Sequence, residues 1–207
     1  SAPTLASHAR SIDRAPQPLL DLFTWPATAG SLRHQEHGNV AKSGLNSDPL
    51  LADVPTHEGY KVLGGVVLYQ KLGQGGMGAV YRGRHLRLDV DVAVKLMAPP
   101  SGIVPAQMET FVGRFLREAR TAAAVKHQNL IRVYDVDQEG GIYFLVMDYV
   151  DGESARDRVS RKGARGLPER EVADIIYGAA AGLGAAHAEG IVHRDVKPDN
   201  ILIDKKG

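Results

Sequence analysis

The sequence predicts an α+β fold in which an antiparallel sheet has its helices on one side. Three observations support this: short apolar runs of strand length, turn signals between them, and few but long helical patterns. The predicted order is three strands, a helix, two strands and then helices. This order does not fit a parallel sheet, in which strands and helices alternate along the chain.

Residues 1–58 differ in character from the rest of the chain. Six prolines interrupt this segment, and no apolar period lasts long enough to predict a helix or a strand. We predict a mostly disordered leader or linker. Residues 18–23 could instead form a helical turn or a docking peptide. His34 and His37 could form a metal pair, but no third ligand lies nearby in the sequence.

From Gly59 onward, each predicted element is bounded by turn residues. The glycine-rich turn joins the first two strands, and the turn at 139–141 joins the last two of the main sheet. Pro168 suits the first turn of the second helix, and Gly190 suits its end. The predicted strands are 61–71, 79–84, 90–96, 130–137, 142–150 and 201–203, and the predicted helices are 106–125 and 168–188.

The composition narrows the function classes. The net charge of +1 gives no reason to expect a nucleic acid or an anionic membrane as a partner. The absence of cysteine excludes disulfides and thiolate metal sites. No apolar run reaches the roughly 18 residues that a transmembrane helix needs. We therefore expect no membrane segment within this stretch.

The first motif that carries chemistry is G-x-G-x-x-G, at residues 73–78. Glycines allow the backbone to approach phosphate oxygens and to direct N–H groups at them. Alone the motif is weak evidence, because the chain has 23 glycines. Here it lies between two strands, which argues against a dinucleotide fold. The missing G-K-[ST] argues against a P-loop NTPase.

The strand that follows contains Val92-Ala93-Val94-Lys95. Alternation places Ala93 and Lys95 on one face and the two valines on the other. Taken alone, Lys95 is more simply interpreted as a solvated lysine at the end of a strand. Glu118 changes this interpretation, because it lies on the apolar face of the first helix, where an unpaired carboxylate is costly. We predict an ion pair between Lys95 and Glu118.

The most specific segment reads H-R-D-V-K-P-D-N, from His193 to Asn200. Asp195 could accept a proton from a hydroxyl group, and Lys197 could neutralise a phosphate. Asn200 could offer an amide oxygen to a magnesium ion. A polar loop between a helix and a strand would explain the polarity of these residues but not their order.

Together, these motifs resemble the eukaryotic-type protein kinase family, and the glycine-rich loop is similar to that of bacterial serine/threonine kinases. The resemblance covers residues 59–207. It implies a five-stranded antiparallel small lobe with one helix, at about 59–150, and the start of a helical large lobe, at about 151–207. It also implies ATP and Mg²⁺ as cofactors and proteins as substrates.

The resemblance assigns roles to single residues. Asp195 would be the catalytic base, Lys197 would contact the transferred phosphate, and Asn200 would bind one magnesium ion. Lys95, paired with Glu118, would hold the α- and β-phosphates. Arg194 would respond to a phosphorylated activation loop. The remaining nucleotide-binding positions are the loop residues Gly73, Gln74, Gly75, Gly76, Met77, Gly78 and Ala79, the adenine contacts Leu72, Val80, Ala93 and Leu202, the gatekeeper Met147, and the hinge backbone of Asp148 and Val150.

The function implied is transfer of the ATP γ-phosphate to serine or threonine hydroxyls of proteins, in signalling and in the cytoplasm. Membrane anchoring outside this stretch and the oligomeric state stay open. The D-F-G motif of the family does not occur before Gly207, so we expect a fragment that is inactive as it stands. The alternative is a truncated, non-catalytic remnant that acts as a nucleotide-binding or scaffold module.

Overall fold

The computed structural model describes residues 44–75, 78–97, 102 and 104–205, with Pro105, Ala106, Glu118 and Ala164 described for their backbone only. The predictions for residues 1–43, including the docking peptide and the histidine pair, lie outside this range. The strands are β1 (Thr56–His57), β2 (Tyr60–Leu63), β3 (Val66–Gly75), β4 (Gly78–His85), β5 (Val90–Met97), β6 (Val133–Glu139), β7 (Ile142–Asp148), β8 (Gly152–Ser154) and β9 (Leu202–Asp204). The helices are α1 (Pro105–Ala124), α2 (Ala155–Lys162) and α3 (Glu169–Ala188).

The main sheet is antiparallel throughout, with the strand order β1-β2-β3-β4-β5-β7-β6. This confirms the predicted fold class. The sheet has seven strands where five were predicted. One addition arises because the predicted strand 61–71 is two strands joined at Gly64 and Gly65, whose φ angles are +58° and +74°. Positive φ at both positions is typical of a two-residue hairpin turn, which splits the apolar run.

The prediction of a disordered leader is wrong for residues 44–58. Two 3₁₀ turns, Gly44–Ser47 and Pro49–Leu51, precede β1. Leu45, Leu51 and Val54 are buried in the core beneath the sheet. Pro49 is compatible with this structure, because it occupies the first turn of its 3₁₀ helix, where a missing N–H costs nothing.

The alternating side chains of β5 lie on opposite faces of the sheet, as predicted, and belong to different apolar clusters. Val92 and Val94 join the core cluster beneath the sheet, and Ala93 belongs to a separate cluster on the opposite face. On that opposite side α1 packs through Phe115 and Ala119 against a core that includes Leu145 of β7. The sheet thus separates a closed core from the face that carries the predicted site.

Two helices extend beyond the sheet, and one of them was not predicted. Ser154 caps the start of helix α2, because its hydroxyl accepts from the Asp157 N–H at 3.1 Å and donates to the Asp157 carboxylate at 2.8 Å. Helix α3 approaches the backbone of Asn129 closely, and a Cβ atom at Gly182 would lie 2.5 Å from that carbonyl oxygen. No helix in the described part of the chain has the length and apolarity to cross a membrane.

Candidate active site

The glycine-rich segment forms the tip of the β3–β4 hairpin. Gly73 pairs with Val80, Gln74 with Ala79, and Gly75 with Gly78. Gly78 has a φ of +133°, which glycine adopts far more readily than other residues. Gly76 and Met77, both predicted to contact the nucleotide, lie outside the described residues. The two strands of the hairpin are therefore paired as far as Gly75 and Gly78.

A β-bulge directs Leu72 into an apolar cluster. The register shifts between Lys71 and Gly73, which face Tyr81 and Val80, so Leu72 is an extra residue on β3. The cluster it enters contains three of the predicted adenine contacts, Leu72, Val80 and Ala93, together with the predicted gatekeeper Met147. Ile131 and Tyr149 lie at its edge. Leu202 was predicted to close the same space from below. It is half-buried in β9 and is not a member of this cluster.

Lys95 is one of the few buried charged residues in the described structure, with 3% of its surface exposed. It lies in β5 between Val80 of β4 and Leu145 of β7. It shares a face with Ala93, and therefore with the apolar cluster. The predicted partner Glu118 lies in α1, but its side chain is outside the described structure. A buried ammonium group requires anionic or polar partners.

Asp148 ends β7 and is held from both its backbone and its side chain. Its N–H donates to the Arg132 carbonyl at 2.9 Å. Its carboxylate accepts from the Arg132 N–H at 3.1 Å and from the Tyr134 hydroxyl at 2.5 Å. This last hydrogen bond raises the pKa of Tyr134. The Asp148 N–H is therefore occupied within the protein. Val150 follows after the strand ends and is half-buried.

Between these two hinge positions, Tyr149 is held by a residue that the sequence analysis did not single out. The guanidinium carbon of Arg82 lies 4.4 Å from the centre of the Tyr149 ring. Arg82 also forms an ion pair with Asp91 of β5. A cation over an aromatic face is attractive and restrains the ring. Arg82 thus ties the segment after β7 to the centre of the sheet, which no local sequence signal reveals.

The three predicted catalytic-loop residues lie together. Nζ of Lys197 is 2.8 Å from Oδ2 of Asp195. Nδ2 of Asn200 donates to the same carboxylate oxygen at 3.0 Å and to the Asp195 carbonyl at 2.8 Å. The hydrogen bond from Lys197 is the main reason that the pKa of Asp195 lies below its usual value. Asp195 is therefore ionised at neutral pH and has a fixed orientation.

The backbone around Asp195 is constrained as well. Arg194 has a φ of +59°, which is uncommon for a residue with a side chain. The Asp195 N–H donates to the His193 carbonyl at 2.9 Å. Burial lowers the pKa of His193. The turn thus sets the Asp195 side chain at the start of the loop, and burial favours the neutral form of His193.

Asp199 of the same loop was not among the predicted site residues, yet it has a specific partner. Its carboxylate accepts from Nε of Arg156 in α2 at 2.6 Å, and its side chain is 7% exposed. This hydrogen bond is the main reason that the pKa of Asp199 is lowered. The S-x-x-D pattern that begins at Ser154 is typical of a helix start and could have predicted α2. Arg156 lies in the first turn of that helix.

The donor set fits a magnesium ion shared with phosphates. Mg²⁺ prefers oxygen ligands and usually takes only one or two from the protein, with the others from phosphates and water. The Asn200 amide offers such an oxygen, because its nitrogen faces Asp195. In the described part of the chain, no group of three or more His, Asp and Glu side chains could hold a metal unaided.

The protein kinase domain family matches residues 66–207. The serine/threonine-protein kinase PrkC of Bacillus subtilis is 35% identical over 149 residues, which is 72% of this chain and 22% of PrkC. PknB of Mycolicibacterium smegmatis is 42% identical over 138 residues, which is 65% of this chain and 21% of PknB.

The described fold is similar to a solved protein as well. The crystal structure of the Mycobacterium tuberculosis PknI kinase domain has a TM-score of 0.59 and 33% identity, covering 68% of this chain and 55% of that one. The chain spans about a fifth of the length of its sequence relatives, namely 22% of PrkC and 21% of PknB. The match to the domain family covers most of the chain and includes both the glycine-rich hairpin and the catalytic loop. The chain belongs to the protein kinase family.

Proposed function

We propose that this chain carries the phosphoryl-transfer centre of an ATP-dependent serine/threonine protein kinase. The observation that carries the proposal is the position of Asp195. Its carboxylate receives hydrogen bonds from Lys197 and Asn200 at 2.8 and 3.0 Å. These three residues follow one another along the chain in the order of the family motif. An oriented, ionised carboxylate beside a lysine is suited to accept the proton of an attacking hydroxyl while the lysine stabilises phosphate charge.

The nucleotide would bind between the glycine-rich hairpin and the apolar cluster. Leu72, Val80, Ala93 and Met147 supply an apolar environment of the kind that an adenine ring prefers. We assign the adenine edge to the Asp148 carbonyl and the Val150 backbone, and we place Leu202 on the opposite face of the ring. The N–H groups of residues 73–79 would face the phosphates.

Lys95 would hold the phosphates from the side of the sheet. Its burial favours an anionic partner, and we propose that Glu118 of α1 orients it. Asn200 would contribute one oxygen to magnesium. When bound, ATP supplies the phosphoryl group and Mg²⁺ neutralises its charge; the chain supplies positioning and fixed charge, which dominate this chemistry.

Substrate class and organisation follow from the same assignment. PrkC and PknB are serine/threonine-protein kinases by name, and we propose the same acceptor hydroxyls here. We place the centre in the cytoplasm, where its nucleotide is available. We propose a small lobe at about 59–150 and the start of a large lobe at about 151–207. Residues 44–58 are added to the small lobe because they pack in its core.

The test is transfer of labelled phosphate from ATP to a basic protein by the intact gene product, with Mg²⁺. Phosphoserine or phosphothreonine is expected in the product. Asp195→Asn should abolish transfer and leave ATP binding in place. Phosphotyrosine as the main product would overturn the acceptor class. ATP binding without any transfer by the unmodified protein would favour a non-catalytic nucleotide-binding module instead.

A further inference from the structure

A buried carboxylate in the amino-terminal segment contacts the strands that carry the glycine-rich hairpin. Asp48 caps the 3₁₀ turn Pro49–Leu51 through its Oδ1, which accepts from the Leu50 N–H at 3.1 Å. Its Oδ2 accepts from the Tyr81 hydroxyl at 2.9 Å and lies 2.9 Å from Nζ of Lys71. Only 8% of the Asp48 side chain is exposed. Oδ1 of Asp48 thus caps the 3₁₀ turn, whereas Oδ2 contacts β3 and β4.

Lys71 extends this contact toward the hairpin tip. Its Nζ donates to Oε1 of Gln74 at 2.7 Å. Gln74 pairs with Ala79 and lies between the first two glycines of the loop. Asp48, Lys71 and Gln74 therefore form a continuous chain of hydrogen bonds. It runs from the amino-terminal segment to the side chain of Gln74, within the loop that we assign to phosphate binding.

The start of this chain has a fixed position. Leu45 and Leu51, on either side of Asp48, are buried in the core beneath the sheet, so Asp48 cannot move independently of it. Lys71 is less buried, with 29% of its side chain exposed. A long, partly exposed lysine loses considerable rotamer entropy when it is held in one geometry. The Asp48 charge offsets that loss and keeps the ammonium group directed at Gln74.

We propose that Asp48 and Lys71 are positioning residues for the glycine-rich loop, and that residues 44–54 restrain the loop in its nucleotide-binding conformation. This inference rests on the proposed function, because it takes the loop to be the phosphate site. Glycine-rich backbone loses much conformational freedom when it becomes ordered around a ligand. A restraint that exists before binding removes part of that cost and appears as a tighter affinity for the nucleotide.

The proposal predicts an effect on binding and not on chemistry. Asp48→Asn keeps the oxygen that accepts from Leu50 but presents an amide donor to Nζ of Lys71. Lys71→Met removes the donor to Gln74 and leaves Asp48 with Leu50 and Tyr81. Each variant should raise the KM for MgATP about three- to tenfold, the worth of about one hydrogen bond, with kcat unchanged.

Tyr81→Phe is the matched control. It removes a hydrogen bond from the same Asp48 oxygen and leaves Lys71 and Gln74 in place. It should lower the melting temperature as Asp48→Asn does, without changing the KM for MgATP. If Tyr81→Phe raises KM to the same extent, the segment acts only through stability and the proposal is wrong.

A double-mutant cycle tests the connection itself. In a Gln74→Ala background Lys71 has no acceptor in the loop, so Asp48→Asn should no longer change the KM for MgATP. An equal effect in both backgrounds would overturn the proposal. Hydrogen exchange without nucleotide provides a readout independent of the proposed function: amides of residues 73–75 should exchange faster in Asp48→Asn and Lys71→Met than in Tyr81→Phe. Unchanged exchange contradicts the restraint, whereas faster exchange in a protein that binds no ATP contradicts only the assigned ligand.

Discussion

Nδ2 of Asn200 donates to both the carbonyl and the carboxylate of Asp195, at 2.8 and 3.0 Å. One side chain thus ties the backbone and the side chain of the proposed base to the turn Pro198–Asn200. The amide nitrogen is committed to Asp195, which leaves the amide oxygen on the opposite side of the group. The two roles that we assign to Asn200, as a support for Asp195 and as an oxygen ligand, are therefore compatible in one rotamer.

Asn200→Ala should weaken both roles. We expect phosphate transfer by the intact protein to fall by about 10–100-fold and the Mg²⁺ concentration for half-maximal rate to rise. A magnesium titration of the initial rate measures both quantities. Asn46→Ala, which removes an exposed hydrogen bond to the Gly59 carbonyl, is the control and should leave both unchanged. A lower rate at an unaltered magnesium requirement would contradict the ligand role.

Lys95→Met should remove transfer and preserve the native fold. Methionine fills a similar volume in the sheet without a charge, so we expect a loss of at least about 10²-fold in rate, as for other groups that stabilise transition-state charge. Lys61→Met is a matched control, because Lys61 is also a buried lysine of the sheet and donates to the Val54 carbonyl at 2.8 Å. It should lower stability and keep transfer. Comparable rate losses in the two variants would show that the loss of a buried lysine, and not the loss of phosphate binding, explains the effect of Lys95→Met.

Arg156→Met should destabilise the chain through Asp199. The substitution leaves a buried carboxylate without its cation, and we expect the free energy of unfolding to fall. The double variant Arg156→Met, Asp199→Asn should recover part of this loss. Lys205→Met breaks an exposed pair with Asp151 and should cost about 0.5 kcal/mol or less. Urea denaturation measures the stability of all three variants. Equal losses for Arg156→Met and Lys205→Met would show that the pair with Asp199 matters no more than an exposed pair.

Gly182→Ala and Gly184→Ala should have opposite effects, although the two glycines lie in one helix. A Cβ atom at Gly182 would lie 2.5 Å from the Asn129 carbonyl oxygen, so α3 must shift, at a cost of about 1–3 kcal/mol. At Gly184 a Cβ atom meets nothing within 4 Å, and alanine should stabilise the helix by about 0.5–1 kcal/mol. Thermal melts of the two variants provide the test. A stabilised Gly182→Ala would show that α3 does not pack on Asn129.

Asp48 should contribute to the pH dependence of stability. Burial alone would raise the pKa of its carboxyl, but hydrogen bonds from Lys71, Leu50 and Tyr81 outweigh burial and hold the pKa below its usual value. Its folded pKa thus lies below its unfolded pKa of about 3.9, so its stabilisation is complete above that value and is lost as pH falls through the folded pKa.

The difference in unfolding free energy between the unmodified protein and Asp48→Asn should therefore be largest near neutral pH and shrink below about pH 4. Urea denaturation from pH 3 to 7 measures it. Asp53→Asn, which removes an exposed carboxylate from the same segment, is the control. A difference that grows on acidification would contradict the assigned ion pair.

The elements that the sequence predicted well have long apolar patterns or specific motifs. The strand predicted at 90–96 is β5 to within one residue, and the opposite faces of Ala93 and Val94 follow from simple alternation. The grouping of Asp195, Lys197 and Asn200 follows from their short separation in one loop. In these cases the local signal and the tertiary structure agree.

The elements that were not predicted depend on tertiary contacts. The two 3₁₀ turns and β1 are too short to be stable alone, and they persist because Leu51 and Val54 are buried and Lys61 holds the Val54 carbonyl. The bulge at Leu72 breaks the alternation that a pattern analysis assumes. The contact of Arg82 with Tyr149 joins residues 67 positions apart, a distance at which no periodicity carries information.

The position of Lys95 in its strand also bears on how the sheet assembles. Lys95 faces Val80 and Leu145 in the native register. A slip of one residue would turn its ammonium group into the closed core with Val94 and Phe144, where no water can solvate it. Residues 92–97 of β5 are apolar apart from Lys95, so this part of the strand has one acceptable alignment. Its single lysine also discourages pairing with strands of other molecules. Lys95→Met should refold in lower yield and aggregate more during refolding, even though its native state keeps the same fold.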